Sequence, residues 1–462
     1  MCSSPHCIPD SAESETRGRA LLDRLARVPF SRWHRKARIV MGSATFFDAF
    51  DALSLAFVLP VLSSQWQLGL GQIGTLIAAG YVGQFLGALF FGHLAERIGR
   101  VRSASVAIAV MSIMALACAL TGNYAALLVC RFVQGIGVGG EVPVAATYIN
   151  ELSPAQHRGR FFLLYELIFP IGLMATGQLG AWLVPAFGWQ SMFLVGAAPG
   201  IFIAVLVWFL PESPRWLIHQ GRHAEAEKIV MEIEASTARR EPPPVPLTTP
   251  AVSPKTSQPG GWRELISGNY RNRTLIVWVL WFSAYLVANG LNNWLPTLYT
   301  TVYNLDLKSA LRYASLTNVV QVVVTLACAL LVDRVGRKRW AAACYLGAGG
   351  LFLTVWWRAA DSVFAVGLFA TLGYGLLGSV NVLLYLYTPE IYPTRIRAVG
   401  TGLATAWLRL GSSAGPAIVG SLMLVGGVPS VFLMFAAVCG LGLAASFGMI
   451  ETRNRKLEEI AP

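Results

Sequence analysis

Ionisable side chains occur inside stretches of this chain that are otherwise apolar. A charge at the centre of a bilayer costs about 2.5–3.5 kcal/mol on insertion scales, so each such group needs a partner, a water-filled cavity or a function. Isolated acids and bases in this setting can bind protons or a charged solute. Six ionisable residues lie within such apolar stretches: Asp48, Asp51, Arg131, Glu141, Glu166 and Arg409.

Two of the acids, Asp48 and Asp51, are three residues apart and therefore share one face of a helix. Two carboxylates at close quarters repel each other when both are charged, so one of them can exchange a proton near neutral pH. The pair is a candidate proton-coupling site. Glu141 and Glu166 are less specific, because each either joins the proton relay or balances an arginine.

The segments that must position these groups are membrane helices. The chain is 55% hydrophobic and 13% charged, against about 25% charged in soluble domains. Apolar windows long enough to cross a bilayer recur along it. We predict an all-α integral membrane protein with twelve transmembrane helices in two six-helix halves. The predicted spans are 37–62, 72–95, 103–121, 124–150, 161–184, 189–210, 272–298, 311–332, 340–357, 362–388, 398–424 and 428–450.

Two charged cassettes occur twice, once in each half of the chain. The segment Glu96–Arg100 returns as Asp333–Arg337, and the acid-to-arginine segment Glu151–Arg158 returns as Glu390–Arg397. The chain is therefore duplicated. Since the cassettes lie between apolar runs, the duplicated unit is a membrane bundle, and two such bundles around one central site are typical of a secondary transporter.

The charge distribution predicts the orientation in the membrane. Most of the 36 Lys and Arg fall in the tails and in the loops on one side, and the positive-inside rule places that side and both termini in the cytoplasm. The net charge of +12 thus indicates topology and contact with anionic lipid, not nucleic-acid binding. The polar N-terminus has no signal-peptide pattern. We expect a monomer in the plasma (inner) membrane.

The predicted organisation has five parts, which are a cytoplasmic tail (1–36), a first six-helix bundle (37–210), a cytoplasmic linker with short helices (211–271), a second six-helix bundle (272–450) and a cytoplasmic tail (451–462).

The cassettes resemble those of the major facilitator superfamily, and the resemblance covers residues 38–451. Gly92–Arg100 is similar to the signature loop after helix 2, with Glu in place of the usual Asp. Three further motifs resemble the branch that holds sugar porters, organic cation and anion transporters, aromatic acid/proton symporters and bacterial niacin permeases: Arg131–Glu141, Pro211–Leu217 and Tyr387–Arg395.

The resemblance implies a role for the charged pair in helices 1 and 4. Asp51 matches the aspartate through which sugar/proton symporters couple, and Arg131 matches its arginine partner. Protonation of Asp51 would release Arg131, and loss of the proton would restore the ion pair. One charge moved through 100 mV is worth about 2.3 kcal/mol, enough for roughly fortyfold accumulation of a neutral solute. The alternative is a permanent structural ion pair.

Arg409 predicts the charge of the solute. In organic ion transporters of this branch the matching position tends to follow the sign of the substrate, so the resemblance implies an organic anion. A guanidinium also presents a planar fork that fits a carboxylate with two hydrogen bonds. The alternative is an ion pair with Glu141 or Glu166 inside the bundle.

Uncharged groups should complete the site. By the repeat, Asn289 is the counterpart of Asp51 and should face the cavity, with Asn292 and Asn293 one helical turn further on. A site in a bundle is usually apolar with a few placed polar groups. The residues that could form its walls or stack on a ring are Tyr165, Phe169, Tyr374, Asn381, Tyr385 and Trp407.

The cassettes place acids and bases at helix ends on one side of the membrane. Ion pairs between the halves can hold an inner gate shut and break when it opens. The alternative is that these charges only set the topology. The candidate gate residues are Glu96, Arg100, Glu151, Arg158, Arg160, Glu212, Asp333, Arg337, Glu390 and Arg397.

The sequence thus predicts proton-coupled uptake of a small organic anion, such as a benzoate-type acid or nicotinate, by alternating access. The alternatives are a sugar or polyol/proton symporter, an efflux pump, a uniporter, and a receptor or scaffold that no longer transports. Gly135–Gly140 lies in an apolar helix and does not indicate a nucleotide site. We expect no enzyme activity, no metal and no cofactor, with the proton gradient as the energy source.

Overall fold

The computed structural model describes residues 17, 18, 20–25, 28, 31–152, 166–237, 262–359 and 362–453. The first half of the chain forms six long apolar helices. They are α1 (Arg32–Trp66), α2 (Leu70–Ile98), α3 (Arg100–Ala119), α4 (Tyr124–Leu152), α5 (Ile168–Phe187) and α6 (Gln190–Trp208).

Short helices follow in the region between the halves. They are α7 (Pro214–His219), α8 (His223–Ala235), α9 (Trp262–Leu265) and a 3₁₀ turn (Gly268–Tyr270). The second half then forms α10 (Arg271–Thr301), α11 (Leu307–Val335), α12 (Arg337–Thr354) with a π turn (Val355–Ala359), α13 (Val363–Glu390) and α14 (Thr394–Phe447).

The last helix, α14, contains two membrane spans. It has 54 residues, which would extend about 80 Å as one straight helix, far beyond the roughly 30 Å of hydrocarbon in a bilayer. Gly427 interrupts it with φ 62° and ψ −158°, a conformation that only glycine adopts readily. Eleven helices in the described ranges can cross a membrane, and the interruption of α14 brings the spans to the predicted twelve.

The two faces of the bundle are set by the helix connections. On the cassette face, α2 meets α3 at Gly99 and α11 meets α12 at Gly336. On the opposite face, here the distal face, α1 meets α2 between Trp66 and Leu70, and α10 meets α11 near Asp306. Large apolar side chains point outward around the bundle, as a lipid-facing surface requires.

The halves pack against each other through three helix pairs, α1 with α10, α2 with α14, and α5 with α11. Near the distal face this approach depends on glycine. A Cβ atom at Gly74 would lie 3.2 Å from the carbonyl oxygen of Pro416, and one at Gly420 would lie 2.9 Å from that of Leu70. The backbones of α2 and α14 are therefore in direct contact near the distal face.

Part of the N-terminal tail packs on the linker helices. Residues 20–25 are helical, and the buried side chain of Leu21 joins Trp216 and Leu217 in a small apolar cluster. Arg24 Nη2 also forms an ion pair with Glu234 Oε2 at 2.6 Å. This segment and α7 and α8 thus form one layer against the first half.

Candidate functional site: a cavity between the two halves

A cavity of about 110 Å³ lies between the halves. Its walls come from α1, α2, α4 and α5 on one side and from α10, α11, α13 and α14 on the other. The shape of the cavity therefore depends on the position of the two halves relative to each other. Ten of the residues selected from the sequence line it: Asp48, Glu166, Phe169, Asn289, Asn292, Asn293, Tyr374, Asn381, Tyr385 and Arg409.

The other selected residues are placed elsewhere. Asp51, Arg131 and Glu141 are buried in the first half and do not line the cavity. Trp407 also lies outside the lining, because its ring stacks on Trp278, with 5.3 Å between centroids and 25° between planes. Tyr165 lies outside the described residues.

Asp51 and Arg131 form the expected pair, through a third residue that the sequence reasoning missed. Arg131 Nη1 lies 3.6 Å from Asp51 Oδ2. Gln134 bridges the two side chains: its Nε2 donates to Asp51 Oδ1 at 2.5 Å, and its Oε1 accepts from Arg131 Nη1 at 2.8 Å. The spacing of Gln134 from Arg131, three positions on one helix face, is the signal that could have identified it.

The buried pair of Asp51 and Arg131 uses only part of its hydrogen-bonding capacity. Asp51 is 3% and Arg131 6% exposed, yet Asp51 Oδ2 and Arg131 Nε have no hydrogen-bond partner in the part of the chain described. A buried ion pair is stable only when hydrogen bonds also satisfy its remaining atoms. This arrangement can therefore be separated more easily than a fully bonded salt bridge.

A cluster of acids lies beside this pair. Thr45 donates a hydrogen bond to Glu141 Oε1 at 3.1 Å, and the buried Asp48 lies between Thr45 and Asp51 along α1. Asp48 Oδ1 and Glu141 Oε2 have no hydrogen-bond partner among the described groups. An oxygen without a partner can be satisfied when the carboxyl group takes up a proton, so the cluster is a candidate proton-binding group near the cavity.

Arg409 enters the cavity from the part of α14 that precedes Gly427 and is 9% exposed. It reaches across to the first half, where its Nη1 donates to Gln84 Oε1 and its Nη2 to the carbonyl oxygen of Gly139, both at 3.2 Å. Among the described residues, no carboxylate oxygen lies within 4.0 Å of its guanidinium. The alternative ion pair with Glu141 or Glu166 is therefore not formed in this conformation.

An amide and hydroxyl network fills the α10 side of the cavity. Tyr81 of α2 donates to Asn289 Oδ1 at 2.7 Å and accepts from Asn293 Nδ2 at 3.0 Å, and Asn289 Nδ2 donates to Ser412 Oγ at 2.9 Å. Tyr81 thus ties the two halves together beside the cavity. The asparagines were predicted from the sequence, whereas Tyr81 and Ser412 were not.

The network continues toward α11 and α13. Asn292 Nδ2 donates to the Tyr374 hydroxyl at 3.0 Å, which donates in turn to Gln321 Oε1 at 3.1 Å. The aromatic wall comprises Tyr385 and Tyr285, of which the second was not selected from the sequence. The cavity is therefore lined both by hydrogen-bonded polar side chains and by aromatic rings.

The cassettes form two matching charge networks on the cassette face. Arg100 Nη2 pairs with Glu96 at 2.9 Å and with Glu151 at 3.2 Å. In the second half Arg337 pairs with Asp333 at 2.8 Å and with Glu390 at 3.3 Å. Among the residues described, the ion pairs of the cassettes join helices of the same half, so the expected pairs between halves are not formed in this conformation. Arg158 and Arg160 fall outside the described ranges, and Arg397 Nε donates to the carbonyl oxygen of Tyr392.

A third acid completes each network. Glu212 accepts hydrogen bonds from the backbone N–H groups of Arg100 and Val101, at 2.9 and 3.2 Å. In the second half Glu451 does the same for the start of α12, accepting from the N–H of Arg337 at 2.9 Å. Burial raises the pKa of Glu212, and the backbone N–H donors oppose that shift. Glu451 was not selected from the sequence, although it follows the last span as Glu212 follows the sixth.

Neighbouring hydroxyls repeat the symmetry. Ser213 Oγ donates to Glu151, and Thr452 Oγ1 donates to Glu390 Oε2 at 2.6 Å. The turns that bring these groups together contain Gly99 with φ 102° and Gly336 with φ 98°, a region that favours glycine. The duplication seen in the sequence is therefore also a duplication of side-chain contacts.

Two homologous six-helix halves around a central polar cavity define a class, that of membrane transporters. The chain belongs to the sugar (and other) transporter family of the major facilitator superfamily, because the sequence model of "Sugar (and other) transporter" matches residues 48–462. Its members are transporters, which confirms the prediction that the chain is not an enzyme.

Individual relatives cover nearly the whole chain. The niacin transporter NiaP of Acinetobacter baylyi is 34% identical over 445 residues, 95% of this chain and 99% of the relative. The 4-hydroxybenzoate transporter PcaK of the same organism is 29% identical over 402 residues, 86% of each chain. Among solved structures, the partially occluded inward open conformation of the xylose transporter XylE from E. coli superposes with a TM-score of 0.72 at 18% identity, over 92% of this chain and all of that one. The last match shows the fold, and it confirms the predicted twelve-helix architecture.

Proposed function

We propose that this protein takes up a small aromatic or heterocyclic monocarboxylate, such as a benzoate-type acid or nicotinate, together with a proton. Uptake would occur by alternating access across the plasma (inner) membrane, with the cassette face and both termini in the cytoplasm. The names of two relatives, a niacin and a 4-hydroxybenzoate transporter, support a substrate of this class.

The observation that carries the proposal is the setting of Arg409. Its guanidinium lines the cavity, is nine-tenths buried and donates to neutral groups, namely Gln84 and the carbonyl of Gly139. A buried cation without a bound counter-ion is costly. A carboxylate that enters the cavity would supply the missing charge and accept two hydrogen bonds from the planar fork.

The size of the cavity supports a small solute. Its volume of about 110 Å³ is well below the roughly 300–1,000 Å³ of pockets for drug-sized ligands. Aromatic side chains such as Tyr385 and Phe169 line it, and aromatic pairs prefer offset-stacked or edge-to-face geometry. A single ring with one carboxylate matches these features.

Proton coupling is assigned to Asp51, Arg131 and the bridging Gln134. Protonation of Asp51 removes its attraction for Arg131, and Gln134 can keep a hydrogen bond to either form of the carboxyl because an amide both donates and accepts. Asp48 lines the cavity three residues before Asp51 on α1, and Glu141 accepts a hydrogen bond from Thr45 one further turn away. These two acids would pass the proton. Loss or return of the charge on Asp51 would then change how strongly α1 and α4 are held together.

The gating assignment follows from the contacts on the two faces. Near the distal face the backbones of α2 and α14 are in contact, which would hold that face closed, whereas the cassette networks make their ion pairs within each half. We assign this conformation to the inward-facing side of the cycle. Exchange of partners between the two networks would close the cassette face in the alternate state.

A sugar or polyol/proton symporter is the second candidate, because amide side chains of α10 line the cavity. Asn289, Asn292 and Asn293 are, however, already bonded to Tyr81, Tyr374 and Ser412. A neutral sugar would also leave Arg409 without a counter-ion. The monocarboxylate is therefore the better match.

Binding to the purified full-length protein tests the proposal. Thermal unfolding is followed with benzoates, nicotinate, hexoses and small amines at low and neutral pH. We expect carboxylates to raise the unfolding temperature of the wild type and of Arg312→Ala, an exposed arginine on α11, but not of Arg409→Ala. Stabilisation by a hexose, or by carboxylates in Arg409→Ala as well, would contradict the assignment.

A further inference from the structure

Most polar atoms that line the cavity already have partners within the protein. Tyr81, Asn289 and Asn293 bond to one another, and Asn292 bonds to Tyr374. These groups can stay as they are when the cavity is occupied or empty. They contribute polarity to the cavity, but they do not require any particular ligand.

Two residues of the lining differ from these, and in each of them the exception is a buried oxygen atom. Asn381 Oδ1 and Asp48 Oδ1 are buried and have no hydrogen-bond partner among the described residues. Asn381 is 8% and Asp48 2% exposed, and both residues line the cavity. A buried acceptor that stays unsatisfied costs about 1–3 kcal/mol, so an occupant that donates a hydrogen bond there is favoured over one that does not.

Of the two residues, Asn381 is the better candidate for recognising a particular group of the substrate. Asp48 belongs to the acid cluster and can satisfy its own oxygen by taking up a proton. Asn381 does not titrate, and its side-chain carbonyl can only accept. Its position on α13, in the wall opposite the helices of the first half, places it in the cavity that Arg409 also lines.

This inference rests on the proposed function, in which Arg409 binds the carboxylate. We propose that Asn381 Oδ1 accepts a hydrogen bond from a donor on the ring of the substrate, such as a hydroxyl or an amine N–H. Asn381 is then a specificity-determining residue, and the substrate class is a ring monocarboxylate that carries a hydrogen-bond donor. Nicotinate, whose ring nitrogen accepts, is a poorer ligand for this protein than a hydroxylated or aminated benzoate.

Isothermal titration of the full-length protein in detergent tests this assignment. The ligands are benzoate, nicotinate, the three hydroxybenzoates and the three matching methoxybenzoates, which keep the oxygen but cannot donate. We expect at least one hydroxybenzoate to bind about tenfold or more tightly than its methoxy analogue and than nicotinate, as expected when a buried acceptor is left unpaired.

Two substitutions locate the effect. Asn381→Leu removes the acceptor at similar size, and we expect the hydroxy-to-methoxy affinity ratio to fall to about one while benzoate still binds. Asn381→Asp keeps acceptor oxygens in the same place and should retain the ratio, even if its charge weakens every carboxylate equally. The ratio for the wild type is informative even if Asn381→Leu does not fold.

The outcomes separate the two proposals. Equal affinity for hydroxy and methoxy ligands in the wild type, or a preference that survives in Asn381→Leu, overturns the role of Asn381 and leaves Arg409-dependent carboxylate binding intact. A wild type that binds none of the carboxylates overturns the proposed function, and the role of Asn381 with it.

Discussion

The substitution Asp51→Asn should uncouple transport from protons while leaving the binding cavity in place. Asn has almost the same shape as Asp, and Gln134 can still bond to it. The charge that attracts Arg131 across 3.6 Å is lost, however, and it cannot be restored by deprotonation. Asp51 does not line the cavity, so we expect the affinity for the substrate to change little.

The magnitudes follow from charge and burial. Symport of one proton with one monocarboxylate is electroneutral, so each pH unit of gradient supplies about 1.4 kcal/mol, or tenfold accumulation. The wild type should approach that ratio, and Asp51→Asn should equilibrate the substrate at a ratio near one. Removal of one partner of a buried ion pair also costs about 3–5 kcal/mol of stability, and the double variant Asp51→Asn/Arg131→Gln should recover part of it.

Proteoliposomes with an imposed pH gradient measure both properties. Accumulation of labelled carboxylate reports coupling, and exchange of internal for external substrate without a gradient reports binding and reorientation. We expect Asp51→Asn to lose accumulation and keep exchange. Accumulation by Asp51→Asn close to that of the wild type would show that the coupling proton binds elsewhere, with Asp48 and Glu141 as the next candidates.

Three further predictions concern the packing and the cassettes. Gly74→Leu places a side chain against the α14 backbone and should open the distal face, seen as faster labelling of cysteines introduced there. Tyr81→Phe removes its bonds to Asn289 and Asn293, and because about 1–3 kcal/mol is lost when buried polar groups are left unpaired, the unfolding temperature should fall and distal opening should increase. Gly336→Ala forces a residue with a Cβ atom to φ 98°, which costs on the order of 1–3 kcal/mol and should lower the unfolding temperature.

Matched controls accompany these variants. A Cβ atom at Gly71 of α2 or at Gly350 of α12 would meet no atom within 4 Å. Gly71→Leu should therefore leave distal labelling unchanged, and Gly350→Ala should leave stability nearly unchanged. Equal effects of Gly71→Leu and Gly74→Leu would show that the backbone contact does not hold the distal face closed. Unfolding temperatures equal to that of the wild type in Tyr81→Phe or Gly336→Ala would refute the roles assigned to those residues.

The sequence was sufficient to predict the fold because bilayer and duplication impose strong constraints. Apolar length fixes the number of spans, and the repeated cassettes fix the two halves. One difference from the prediction concerns the last two spans, which form a single helix, α14. It runs from Thr394 to Phe447 and is interrupted at Gly427. The predicted boundary between spans 11 and 12 coincides with this one glycine, whose φ no apolar pattern reveals.

The site was predictable to the extent that its residues are charged. Arg409 and Asp48 stand out in apolar spans, and both line the cavity. Gln134, Gln84 and Tyr81 were missed because uncharged polar residues are common in membrane helices and their importance lies in contacts between helices distant in sequence. Trp407 illustrates the converse, since an aromatic residue near Arg409 packs on Trp278 instead of facing the cavity.

The most direct test of proton-coupled monocarboxylate uptake is the proton movement that the substrate itself induces. Proteoliposomes loaded with a pH-sensitive dye receive external hydroxybenzoate at equal pH inside and outside, with protein-free liposomes correcting for diffusion of the neutral acid. The proposed mechanism predicts internal acidification above that background with the wild type and with Arg312→Ala, and background alone with Arg409→Ala and Asp51→Asn. Acidification induced by a hexose but by no carboxylate would contradict it.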